Sequence, residues 1–130
     1  MPLERAALVA LRIGLAFAFL YPPVNALIDP STWIGYFPAF TRGFVSDVTL
    51  LHLFGAAEVV IAIWILSGWR IFWPSTVAAA MLIAIVVFNT SSFQVVFRDV
   101  SIAAMAIALA LSDRKTVSAF FRLNDVYAGR

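Results

Sequence analysis

VTLLHLFGAAEVVIAIWIL, from Val48 to Leu66, is apolar almost throughout, yet it carries a carboxylate at Glu58 and a histidine at His52. A helix needs roughly 20 mostly apolar residues to cross the hydrocarbon core of a bilayer, and this stretch is long enough. Its surroundings decide between a membrane span and a buried helix of a soluble domain. The chain has 130 residues, of which 63% are hydrophobic and 12% charged. A soluble domain carries about 25% charged residues. This chain has too few charges to cover a core with a polar shell, and lipid tails remove the need for one. The mean hydropathy of +0.97 agrees.

Working outward, three more stretches read as spans. The first covers about 6–28, with Pro22-Pro23 near its far end, where the missing backbone donors are expected to kink or loosen the last turns. A third covers about 72–88. The fourth covers about 93–111 and holds Arg98 and Asp99 inside it, because its clean apolar part, Ile102 to Leu111, is too short to span alone. The expected architecture is all-α: a polytopic membrane protein with a four-transmembrane-helix bundle in residues 1–112. The second span is then about 48–66, and residues 113–130 form a cytoplasmic tail.

Lys and Arg gather on one side. With the N-terminus inside, the inner flanks hold Arg5, Arg70, Arg114, Lys115, Arg122 and Arg130, and the outer flanks hold Arg42 and Arg98. That bias predicts cytoplasmic N- and C-termini and residence in the cell (inner) membrane. Ala16-Phe17-Ala18 has the form of a signal-peptidase site but lies within the apolar run, and Arg12 interrupts what would be the signal's apolar region. The first span is therefore expected to stay uncleaved.

Between the first two spans, residues 29–47 form an outer loop rich in aromatics: Trp33, Tyr36, Phe37, Phe40 and Phe44. Such rings suit the headgroup layer, so the loop reads as an interfacial anchor, with a lid over a lateral entrance as the alternative. In the tail, Ser118, Arg122 and Asp125 share one helical face, which fits a surface helix, with an unstructured tail as the alternative. Clusters of small residues are expected to pack helix against helix: Gly14 and Ala18; Gly55, Ala56 and Ala57; Ala103, Ala104, Ala106, Ala108 and Ala110.

With no cysteine, the chain offers neither disulfides nor thiolate metal sites, and His52 is its one histidine. No haem or metal site is evident. There is no phosphate-binding glycine loop, nucleophile elbow or zinc spacing, and no nucleic-acid partner is expected. The candidates for chemistry are the ionisable groups within the spans: Glu58, Arg12, His52, Arg98 and Asp99. Glu58 lies about 12 Å and Arg12 about 10 Å from the inner ends of their spans, so an ion pair between them is expected. Arg12 could instead snorkel to the inner surface. Glu58 then reads either as one half of a structural clamp or as a proton-handling or ligand-contacting carboxylate. Arg98-Asp99 reads as an interfacial pair at a helix start, or as placing Asp99 beside His52. His52 and Glu58 stand about 120° apart on their helix and need not share a pocket.

The sequence resembles the DoxX family of four-helix membrane proteins. The resemblance rests on Leu11-Arg12-Ile13-Gly14, on Phe19-Leu20-Tyr21 leading to Asp29-Pro30 and Trp33-Ile34-Gly35-Tyr36-Phe37-Pro38, and on Glu58 followed by an apolar run to Ser67-Gly68-Trp69-Arg70. Phe97-Arg98-Asp99 opens the fourth span in the same manner. The likeness extends to about Leu111. It departs at Pro22-Pro23 and Asn25, where a glycine and a lysine would precede Asp-Pro, so no role for that lysine carries over. The resemblance implies Arg12, Glu58, Arg98 and Asp99 as intramembrane positions. It also implies an accessory subunit of a membrane oxidoreductase, in contact with quinone, as in a thiosulfate:quinone oxidoreductase. Two other readings stand beside it: a small oligomeric transporter, and a structural or assembly partner without activity of its own. The expected partners are the lipid bilayer, a redox-enzyme subunit and further copies of the chain.

Overall fold

The computed structural model describes residues 3–37 and 46–113, together with Ser118 and Arg122. Among them all regular structure is helical. Helix α1 is Leu3–Ile28, α2 is Pro30–Ile34, α3 is Asp47–Ser67, α4 is Phe72–Phe88 and α5 is Phe93–Ser112, with a 3-10 turn at Thr90–Ser92 before α5. Helices α1 and α3, and the segment Thr90–Ser112, are long and apolar enough to cross a membrane, whereas α4 is shorter. Phe17, Leu53, Ile63 and Val87 are exposed on the outer surface of the bundle. Water would penalise such a surface and a bilayer accepts it.

Local chemistry sets the ends of α3. The Ser46 hydroxyl accepts a hydrogen bond from the Thr49 N–H at 3.2 Å, and Asp47 adds a negative charge to the first turn. At the other end Gly68 takes the left-handed conformation, φ 77°, and its N–H returns to the Ile65 carbonyl. Helix α1 runs on through Pro22 and Pro23 to Ile28. A Cβ placed on Gly55 of α3 would lie 3.2 Å from the Cβ of Pro23, so the absence of a side chain at Gly55 lets the two helices meet where α1 has lost backbone donors.

Helix α1 packs chiefly on α3 and α4 on α5, while α1 also touches α5 and α3 touches α4. The four long helices therefore form a ring in which α3 and α5 face each other across the middle. The core is Leu15 and Phe19 of α1, Ile61, Ala62 and Ile65 of α3, Ala78, Ala79 and Leu82 of α4, and Ala103, Ala106 and Leu109 of α5. Of the small residues singled out in sequence, Ala103, Ala106 and Ala110 are buried, while Ala104 and Ala108 face outward on the other side of α5. Composition marked a close-packing helix and its 3.6-residue turn selected the face. The side of the bundle where α1 begins and α5 ends is called the near side below.

On the far side, Asp29 starts α2. Ser31 Oγ donates to its Oδ1 at 2.9 Å and Thr32 Oγ1 to its Oδ2 at 2.6 Å. Trp33 Nε1 donates to Asn25 Oδ1 at 2.9 Å, and the Trp33 ring stands edge-on to Tyr21, folding α2 back onto α1. Tyr36 and Phe37 follow, the latter edge-on to Phe54 of α3. Phe40 and Phe44 of the outer loop, and the surface helix expected in the tail, lie outside the described residues.

The hydrogen bonds from Thr32 and then Ser31 hold the Asp29 carboxyl below its usual value of 3.8. A lowered carboxyl contributes stability above its unfolded-chain pKa, which is lost as pH falls through the folded value. Acidification from about pH 5 to about pH 2 is therefore expected to loosen the start of α2. In a variant keeping Trp33 as the single tryptophan, its emission should shift over that range, and Asp29→Asn should abolish the shift. An emission flat to the acid end would refute the coupling.

Candidate functional site

Arg12 comes first, because its placement frees Glu58. Its Nε donates to the Ile65 carbonyl at 3.0 Å and its terminal nitrogen to the Leu66 carbonyl at 2.7 Å. These carbonyls belong to the last turn of α3, where they lack intrahelical N–H donors and the dipole end is negative. The guanidinium also fills the space over Gly68, whose missing Cβ would lie 2.8 Å from it. The expected Arg12–Glu58 pair is thus corrected. Arg12 sits on backbone about 10 Å along α3 from Glu58, seven residues further on. Depth counted from the ends of the spans placed the two groups together, but a helix end offers a cation an acceptor set that a sequence does not display. Arg12 does not pair with Glu58; it engages the near-side end of α3.

Glu58 is 8% exposed, on the inward face of α3. Two contacts fix its level. Gly55 meets Pro23, and a Cβ on Gly14 would lie 3.9 Å from Met105 of α5. Counting along these antiparallel helices sets both Glu58 and Asp99 at the level of Leu20. The structure therefore brings together two carboxyls, Glu58 buried and Asp99 half-buried, from opposite helices of the ring. Arg98 points outward beside them.

His52 is exposed on the far half of α3 and joins neither carboxyl. Asp99 lies at the level of Glu58 and His52 is turned outward about two helical turns away, against the alternative that would set Asp99 beside His52. A helix turns 100° per residue, so six residues carried His52 off the inward face. Among the described residues no group of three or more His, Asp or Glu side chains could hold a metal ion.

Sequence reasoning passed over two buried polar groups. Asn89 Nδ2 donates to the Tyr36 carbonyl at 3.1 Å and to the Ile85 carbonyl at 2.8 Å, tying the α2 segment to the far end of α4. The polar run Asn89-Thr90-Ser91-Ser92 between two apolar stretches marked the turn, but nothing marked the partner. Ser75, near the start of α4, is fully buried with its hydroxyl unpaired among the described residues.

The carboxyl pair can exchange protons and can hydrogen-bond a polar ligand as donor or acceptor. Each role suits a group that lies deep in a bundle without a fixed cation against it. Set against protein-family models, curated proteins and solved structures, the chain matches none.

Proposed function

We propose that the chain is a DoxX-like integral membrane subunit of a quinone-linked oxidoreductase, with Glu58 and Asp99 handling protons at a ligand's polar head. The observation that carries this reading is that two carboxyls lie at one depth of the bundle while Arg12 is engaged elsewhere. A pure clamp would set a cation against Glu58. A second carboxyl lies at the same level instead, and burying ionisable groups without a cation is costly and is retained where it serves a site.

The donor set suits a quinone. A protonated carboxyl donates to a carbonyl and an ionised one accepts from a hydroxyl, so Glu58 and Asp99 can each serve the oxidised or the reduced head. When bound, a quinone supplies a two-electron, two-proton couple. The chain's own share is to orient the head and to take up or release protons at the Glu58 and Asp99 carboxyl oxygens. The bias of Lys and Arg in sequence supports a cytoplasmic near side. A transporter calls for a polar path across the bundle. His52 faces outward and Arg12 is bound to carbonyls, so these residues do not extend the Glu58–Asp99 couple toward either side.

Native mass spectrometry on protein released gently from its own membranes tests the proposal. A retained quinone or a stoichiometric redox subunit is the expected result. A homo-oligomer carrying only bulk lipid would refute it.

A further inference from the structure

The turn between α3 and α4 builds a ledge of indoles with a cation on top. Trp64 Nε1 donates to the Trp69 carbonyl at 2.7 Å, and the Trp69 N–H donates to Ser67 Oγ at 3.3 Å. The Ser67 hydroxyl in turn donates to the Trp64 carbonyl at 2.5 Å. Both backbone polar groups of Trp69 are thereby tied to the last turn of α3, and its ring stacks on Trp64 with centroids 6.2 Å apart. Arg70 follows in the left-handed region, φ 47°, a conformation that a long side chain rarely adopts. That twist carries its guanidinium over the Trp69 ring, 5.0 Å from the centroid.

The assembly faces outward. Trp69 is 63% exposed, and Arg70 is exposed as well. The contact described for the guanidinium is the Trp69 ring, which occupies one face and leaves the edge donors turned to the surroundings. Fixed indoles, an unusual backbone and an outward planar cation make a prepared surface with no counterpart among the described residues.

We propose that this ledge binds the headgroup of an anionic phospholipid. The argument is complementarity along the whole lipid. Guanidinium edges match a phosphodiester in bidentate fashion. Indoles suit the headgroup level. Above Trp64 on the same helical face lie Val60 and Leu53, both exposed, along which an acyl chain can run. A zwitterionic lipid brings its own ammonium to Arg70, whereas an anionic one does not. The site stands apart from the Glu58–Asp99 couple and does not depend on its function.

The test uses the full chain in nanodiscs of equal phosphatidylglycerol and phosphatidylcholine, with the lipids carried through gentle release counted by native mass spectrometry. Wild type should retain phosphatidylglycerol preferentially, and Arg70→Gln should lower that preference about fivefold. Arg70→Gly should lower it equally while relieving the backbone, which separates lipid binding from folding. Arg5→Gln, at another exposed arginine on the near side, should leave the preference intact. The proposal is overturned if Arg70→Gln keeps the wild-type ratio, or if Arg5→Gln loses as much, since diffuse attraction then suffices. Displacement by inorganic phosphate would also overturn it, by reassigning the surface to a soluble anion.

Discussion

Arg12→Ala is expected to destabilise the folded chain by about 2–4 kcal/mol, the range for losing two charge-assisted hydrogen bonds together with a cation at a helix C-terminus. The lower half of that range applies if solvent or headgroups reach the Leu66 carbonyl, whose bond is the more exposed of the two. Arg12→Lys keeps the charge but offers a point donor in place of a planar fork, and should recover about half of the loss. Gly68 gives a sharper test. Gly68→Ala meets two penalties in wild type: a positive φ, and a Cβ 2.8 Å from the guanidinium. In an Arg12→Ala background the second penalty disappears and roughly 1 kcal/mol remains for the backbone. The two substitutions should thus be less damaging together than the sum of their separate effects. Thermal unfolding in detergent measures all four corners of the cycle. Strict additivity would show that Arg12 does not rest on Gly68.

The second large effect concerns Glu58. Glu58→Gln keeps the shape of the side chain and removes its capacity to gain or lose a proton. The protein should fold at least as well as wild type, because a neutral amide of the same shape is no costlier to bury than a carboxyl without a cation against it. Crosslinking to a photoactivatable quinone, or turnover with a quinone-linked partner, should fall by about 100-fold, the lower end of what a positioned proton donor contributes. A substitution that leaves stability intact while abolishing function marks a residue retained for its chemistry. Asp99→Asn should act in the same direction with a smaller loss, since Asp99 is the less buried of the two. The opposite pattern, a protein that unfolds readily with Gln at position 58, would make Glu58 a structural group and return the assembly-partner reading to the front.

Much of the bundle was legible in sequence because apolar runs report a simple quantity, the length of helix that lipid can surround. Helices cover Asp47–Ser67 and Phe72–Phe88 where runs were read at 48–66 and 72–88. What resisted reading was azimuth and partner. Ala104 and Ala106 are alike in sequence and lie on opposite faces of α5. Glu58, Arg12 and Asp99 were found as candidates from their residue types, but the pairing was misjudged. The acceptors of Arg12 are backbone carbonyls, which every residue has, so no side-chain pattern reveals them. The meeting of Glu58 with Asp99 depends on two registers set by Pro23 against Gly55 and Gly14 against Met105. Each is a local steric fit between helices far apart in sequence. Of the Trp64–Trp69–Arg70 ledge, only the flanking charge of Arg70 was read in sequence, because the form of the ledge depends on a backbone twist at Arg70.

Helix α4 has 17 residues and is therefore about 25 Å long, against a hydrocarbon layer of about 30 Å. Across the ring from it, α1 has 26 residues and exceeds that thickness. One molecule thus presents a short wall and a tall wall to the lipid around it. The bilayer must dip beside α4, or the bundle must lean, and either response makes the chain sensitive to acyl-chain length. A mismatch confined to one flank also gives molecules a reason to cluster with their short walls together, sharing a single patch of thinned membrane.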